Sequence, residues 1–165
     1  MFKCMYPDST VYSFEMNPNN LEDITRVIKR NQLENIHIVN KYLYRDSKQY
    51  SIDKEGKIVD GQSSEADIIQ TISIDDFCES QGITRVDLIK FDIEGGELDA
   101  LNGGIKTIKR HKPLLYIPIY HLESDIYSIP EFLNGLGMKM SFRLKWTEKM
   151  VWGMDCVLFV KFEEE

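Results

Sequence analysis

VDLIKFDIEGGELDAL, residues 86–101, carries an apolar run directly into a helical pattern. Val86 to Phe91 reads as a buried strand, and Asp92-Ile93-Glu94-Gly95-Gly96-Glu97 ends it abruptly. Leu98, Leu101, Ile105 and Ile108 then recur at spacings of three and four, the period of one helical face. Three carboxylates therefore crowd the carboxyl end of a strand and the first turn of a helix, which is where ligands sit in open α/β sheets. The two glycines let a ligand or a backbone approach closely. Glu94 and Glu97 have a second reading, since acids in a first helical turn complement the helix dipole.

Working outward, Thr10 to Phe14 reads as a short strand and Asn17-Pro18-Asn19-Asn20 as a turn and helix start. Leu21, Ile24, Val27 and Ile28 form one helical face, with Glu22 and Asp23 in the first turn and Lys29 and Arg30 in the last. Asn35 to Leu43 reads as the next strand. Tyr50-Ser51-Ile52 and Lys57-Ile58-Val59 flank Asp53-Lys54-Glu55-Gly56 as a hairpin. Ile68 to Ile74 is a strand, followed by a short helix capped by Asp75 and closed by Gly82.

Beyond the opening stretch, Pro113 to Tyr120 is an apolar strand. Ser128-Ile129-Pro130-Glu131 matches a capping box ahead of a helix that buries Ile129, Phe132, Leu133 and Leu136 and stops at Gly137. Met138 to Trp146 and Met150 to Phe162 read as two strands around Thr147-Glu148-Lys149. Alternating strands and helices that close on an antiparallel pair indicate an α/β sheet, with residues 1–165 as one domain.

The 165 residues are enough for a sizeable core, and 42% hydrophobic with 11% aromatic content is that of a globular protein. A net charge of −7 argues against nucleic acid and against anionic membrane surfaces as partners. Cys4, Cys78 and Cys156 are odd in number and lack metal-site spacing, so they read as thiols in a reducing compartment. No apolar stretch approaches the ~18 residues of a membrane span, and the first residues have no signal-peptide core. A cytoplasmic protein is expected.

LIKFDIEGGELDALNGG, residues 88–104, resembles the signature segment of FkbM-type S-adenosylmethionine-dependent methyltransferases, with Lys90, Asp92, the Glu94-Gly95 pair and Glu97 in place. VYSFEMNPNN (11–20), TISIDDF (71–77) and KPLLYIPIYHLESDIYSIPEFLNGLG (112–137) resemble further segments of the same family. Pro118 departs from it, because many members have an acid there. The resemblance implies a Rossmann-like class I methyltransferase sheet, mostly parallel, with a C-terminal antiparallel hairpin. Such enzymes open with a strand ending in a glycine-rich turn that holds the cofactor's amino acid end. Here fourteen residues without a glycine precede Glu15, so the first strand and helix are expected to be missing. A fragment, a mis-called start and a natural short form all remain open. The absent strand would lie between the strands ending at Glu15 and Asp92. Those two are expected to pair directly; edges left open would promote self-association.

The resemblance also assigns roles. Glu15, at a strand end, would accept both ribose hydroxyls of S-adenosylmethionine, since a carboxylate offers only acceptors; otherwise it is a solvated turn residue. Asn17, in the same turn, and Asn40, near the implied adenine pocket, complete the nucleoside end. Asp92 would orient the cofactor's ammonium group or take the acceptor's proton, with Glu94 as a second base. Glu97 is expected to support the loop and to matter less to turnover than Asp92; Lys90, in a strand expected to be buried, either pairs with one of the acids or snorkels to an edge, and pairing is the expectation. His121, on the same sheet edge, is a candidate base or a structural residue. His37 and His111 lack ligand partners, and no metal is expected. The implied reaction is O-methylation of a sugar or secondary-metabolite hydroxyl, on a small-molecule or glycan acceptor. Two other readings stay open. Asp92-x-Glu94 could be the metal motif of a nucleotide-sugar glycosyltransferase, or the chain could be a non-catalytic remnant or interaction module.

Overall fold

The computed structural model describes residues 6–52, 58–59, 67–147 and 155–163. The chain divides into two compact units, one running to Tyr42 and resuming over Lys48–Thr71, the other comprising Leu43–Ser47 and the chain from Ile72 onward.

In the first unit β1 (Val11–Phe14) and β2 (Ile36–Val39) pair in parallel, with Phe14 opposite Val39. The helix α1 (Pro18–Arg30) connects them. Its start is set by Asn17, whose side chain accepts the amide of Asn19 at 3.0 Å, and by Pro18, which needs no amide partner in a first turn. Because the helix begins at Pro18, Glu22 and Asp23 fall beyond the first turn, which holds no acid. Leu21, Ile24 and Ile28 are half-buried and no residue of α1 is fully covered. The strand expected over Asn35–Leu43 is broken where Lys41 N–H turns back to the Val39 carbonyl at 2.9 Å. Its remainder is β3 (Tyr42–Leu43), where the chain passes between the units. Then β4 (Gln49–Ile52) pairs antiparallel with both β5 (Ile58–Val59) and β6 (Asp67–Ile72). The expected hairpin strands therefore form, and their turn lies outside the described residues.

The second unit opens with α2 (Ile74–Ser80) and then builds a sheet from β7 (Leu88–Lys90) and β8 (Leu114–Pro118), in parallel, extended antiparallel by β10 (Asp155–Phe162) and β9 (Met140–Thr147). This is the expected closing hairpin, with residues 148–154 outside the described set. The helices α3 (Glu97–Asn102), α4 (Ile105–His111) and α5 (Asp125–Gly135) complete the unit. Leu101, Ile108, Leu115, Ile117, Ile129, Leu133 and Val160 are fully buried together. Each such side chain is worth about 1.5–3 kcal/mol of burial.

Several expectations change here. The helix expected from Leu98 to Ile108 breaks at Gly103-Gly104, where the Tyr44 carbonyl presses close. Asp75 caps α4 and not its own helix, accepting the amides of Lys106 and Thr107 at 3.0 and 2.7 Å; α2 is capped by Ser73. The helix α5 starts three residues before the expected capping box, so the Ser128 hydroxyl is buried without a partner among the described residues. Only one face of β7 is covered: Leu88 and Lys90 are exposed, and Phe91 beyond it is buried. Lys90 is thus a surface cation, paired with Asp92 as expected. Among the described residues no ladder joins β1 and β7, which were expected to pair. Each has one parallel neighbour, β2 and β8, and among the described residues no ladder on its other edge.

Near α2, the hydroxyls of Ser47 and Ser73 hydrogen-bond the Asp76 carboxyl and hold it below its ordinary value of 3.8. A lowered value in the folded state means that this contribution is present above the unfolded value and is lost as pH falls through the folded one. Asp76→Asn should therefore cost stability at neutral pH, with the difference from wild type shrinking as acid is added below that value. Urea unfolding across the range measures it, and a pH-independent difference would refute the linkage.

Candidate active site

The turn after β7 is organised around one buried carboxylate. Glu97 is the first residue of α3 and has no exposed surface. Its Oε1 accepts the Ile93 amide at 3.1 Å and its Oε2 the Gly95 amide at 2.9 Å. The chain can fold back over it because Glu94 and Gly95 take left-handed conformations, φ 53° and 97°. Glycine does this freely; a glutamate does not, and is held there by its surroundings.

The third partner of Glu97 comes from the neighbouring strand. His121 follows β8 and places Nδ1 2.8 Å from Glu97 Oε1, with only 7% of its side chain exposed. With its Nδ1–H donated to the Glu97 carboxylate, the imidazole turns Nε2 away from Glu97, and in the neutral ring that atom carries a lone pair. That atom faces Glu94 Oε2 at 3.5 Å. Asp92 joins them: Asp92, Glu94 and His121 each bring one acceptor atom within 4.8 Å of the others. The two carboxylates are exposed, and Asp92 Oδ2 is held by Lys90 Nζ at 2.7 Å. Tyr120 packs its ring edge-on to the imidazole, with centroids 4.4 Å apart.

Asp125 lies behind this cluster, almost fully buried, with Oδ2 accepting the Leu122 amide at 3.1 Å. Burial pushes its carboxyl up; the nearby Glu97 adds to this and His121 opposes it. Sequence reasoning missed Asp125, which reads as one more polar residue in a turn. Its only signal is position, four residues after a strand-end histidine. The chemistry of Glu97 was half visible: an acid at a helix start supports a loop, but nothing local says that it also orients a histidine.

In the first unit, Glu15 continues β1, its amide bonded to the Val39 carbonyl at 3.2 Å, so Glu15 and Asn40 sit at the carboxyl ends of adjacent parallel strands. Glu15 Oε1 accepts the amides of Met16 and Asn17 at 2.8 and 2.7 Å, and Oε2 accepts Asn20 Nδ2 at 3.0 Å. A carboxylate has about four acceptor sites, so roughly one remains. Asn40 is exposed, and the Asn17 carbonyl oxygen is committed to its cap.

The family model for the methyltransferase FkbM domain matches residues 5–140. Among solved structures, methyltransferase FkbM from Methylobacillus flagellatus KT superimposes with a TM-score of 0.66 at 22% identity, over 92% of this chain and 36% of that one. The chain thus spans little more than a third of that relative's length. Precorrin-6y C5,15-methyltransferase from Geobacter metallireducens GS-15 gives 0.52 at 14% identity, over 96% of this chain and 69% of that one. A Streptococcus mutans protein described as a methyltransferase and solved in complex with SAH gives 0.50 at 12% identity, over 93% and 76%. No curated protein matches. At such identities the likeness establishes the fold, an α/β arrangement of the Rossmann-like class I methyltransferase kind. Among the described residues no helix is long and apolar enough to cross a membrane.

Proposed function

The chain belongs to the FkbM methyltransferase family, and from that membership we propose that it takes part in methyl transfer from S-adenosylmethionine to a hydroxyl oxygen of a sugar or secondary metabolite. The observation that carries this reading is the acceptor-only cluster of Asp92, Glu94 and His121 Nε2, gathered after two adjacent parallel strands. When bound, S-adenosylmethionine supplies the methyl group on a sulfonium, a carbon that needs an oriented, deprotonated oxygen more than it needs acid catalysis.

The residues of the chain do the rest. Ribose hydroxyls are donors and need acceptors; Glu15 has one site left, enough for one of them and not for the two expected from sequence. Asn40, exposed at the next strand end, supplies both donors and acceptors for a purine edge, and Asn17 lies in the same turn as Glu15. In the second unit the cluster is the candidate acceptor of the hydroxyl proton, through Nε2 of His121 when its Nδ1–H is donated to Glu97. Asp92 is available to a cationic amino group, as its existing pairing with Lys90 illustrates. The acceptor is a small molecule or glycan in this reading. The buried free thiols of Cys78 and Cys156, which burial keeps protonated, suit the reducing cytoplasm.

Calorimetric titration of S-adenosylmethionine into the chain tests the proposal. Saturable binding is expected, and Glu15→Ala should weaken it by about 1.5–3 kcal/mol, the worth of a hydrogen bond to a charged group. Absence of any saturable binding would overturn the cofactor assignment. Equal affinity in the variant would remove Glu15 from it.

A further inference from the structure

We propose that Asp92, Glu94 and His121 hold a divalent metal ion of the manganese, iron or zinc class. The ion's binding stands on the geometry of the cluster; only its purpose rests on the methyl-transfer reading above.

Three observations lead there. First, each of the three converging groups can present a lone pair to one shared point. Two carboxylates and an imidazole lone pair share a space of 4.8 Å, and Lys90 reaches only the Oδ2 of Asp92, leaving Oδ1. Lone pairs and negative charges facing one another repel unless a cation lies among them. Second, His121 is not a surface histidine. Its side chain is more than nine-tenths buried, and the fully buried Glu97 fixes which nitrogen points into the cluster. A buried carboxylate that holds one imidazole N–H while the other nitrogen faces a group of acids is the arrangement that orients histidine ligands in metalloproteins. Third, the remaining adjustment is small. Ligands on adjacent positions around an ion at ~2.1 Å stand about 3 Å apart. Nε2 and Glu94 Oε2 are already at 3.5 Å; the Glu94 side chain is exposed, and Asp92, though held by Lys90 through Oδ2, is exposed as well.

The ligand set selects the ion. One imidazole nitrogen with two carboxylates suits manganese, iron or zinc better than calcium or magnesium, which favour all-oxygen shells. Three protein ligands also leave coordination positions open to an oxygen of the methyl acceptor; with the ion bound, Nε2 and Asp92 would be ligands, and the acceptor hydroxyl would be made acidic by coordination in place of proton transfer to His121. Sequence spacing hides such a site, because His121 lies far along the chain from Asp92 and Glu94.

The test is a titration of the metal-stripped chain with manganese(II), read by the loss of the free-ion electron paramagnetic resonance signal and by calorimetry. One saturable site is expected, with zinc(II) displacing the manganese. The double change Asp92→Asn with Glu94→Gln alters only exposed side chains and should weaken binding by about a hundredfold at unchanged circular dichroism. Glu97→Gln, acting through His121, should weaken it by about ten- to a hundredfold. No saturable binding of either ion, or equal affinity in the double variant, would overturn the site. S-adenosylmethionine binding, measured separately without metal, keeps the two ideas apart. Metal binding without cofactor binding leaves the site and removes the methyl-transfer reading; the opposite result removes the site alone.

Discussion

Glu97→Ala is expected to destabilise the chain by about 3–5 kcal/mol, the range for removing one member of a buried charge-assisted pair. The side chain has no exposed surface and accepts from Ile93, Gly95 and His121. Alanine leaves all three donors inside the protein without a partner, at a cost of about 1–3 kcal/mol for each that water does not reach. It also releases the left-handed turn at Glu94 and Gly95, which folds around that carboxylate. Glu97→Gln is the gentler probe. It keeps one acceptor oxygen but turns an amide group toward donors, so a smaller loss is expected. Urea unfolding monitored by circular dichroism measures both. Wild-type stability in Glu97→Ala would refute the organising role. The expectation from sequence, in which Asp92 outranked Glu97, concerned turnover; the burial of Glu97 adds a role in stability to its role in supporting the loop. Asp92 is exposed and paired with Lys90, so Asp92→Asn should lower turnover at near-native stability. Glu97→Gln should lower both, because it disorders the histidine and the turn together.

Gly103→Ala should cost about 3 kcal/mol or more, at the upper end of overpacking changes. A Cβ there would lie 2.3 Å from the Tyr44 carbonyl oxygen and 3.1 Å from Arg45 Cα and Ser73 Cβ. Two of those three are backbone atoms, so no rotamer change relieves the clash; the Leu43–Ser47 segment or α3 must move. Neither moves alone. Gly103 closes α3, and the next helix is tied to α2 through Asp75. Gly135→Ala is the control. Nothing lies within 4 Å of a Cβ at that position, at the end of α5, and the change should gain about 0.5–1 kcal/mol from helix propensity. Thermal unfolding of the two variants should therefore shift in opposite directions. A Gly103→Ala protein as stable as wild type would refute the steric role assigned to the Tyr44 carbonyl.

Both predictions arise where sequence reasoning stopped. The Gly103-Gly104 pair was in plain view inside a continuous apolar pattern, and the period of Leu98, Leu101, Ile105 and Ile108 argued for one helix. Periodicity reports which side chains share a face, not whether a foreign carbonyl presses against the backbone between them. Asp75 shows the same limit. An acid at a helix start is legible as a cap, but which helix it caps depends on the packing of α2 against α4. Ser128 and Glu131 matched a local capping pattern, yet the helix began earlier and buried the serine among its own turns. Lys90 was expected to be buried because its strand is apolar; one face of β7 is left uncovered among the described residues, and the lysine lies there.

The sequence by itself determined what local chemistry controls. The strand–turn–helix at residues 86–101, the cap and stripe of α1, the apolar run of β8 and the closing pair β9 and β10 follow from side-chain period and turn residues, which act over a few positions. The same segments carried the family. Only the tertiary structure decided what the carboxylates do. Glu97 became the buried centre of the turn because His121, 24 residues away, reaches it across the parallel ladder of β7 and β8. Glu15 proved largely occupied by its own turn, which limits what it has left for a ligand. Asp92 and Glu94 acquired a nitrogen partner that no spacing announced. The reason is physical: hydrogen-bond capacity and desolvation belong to the packed neighbourhood of a group, and that neighbourhood is assembled from residues the chain keeps far apart.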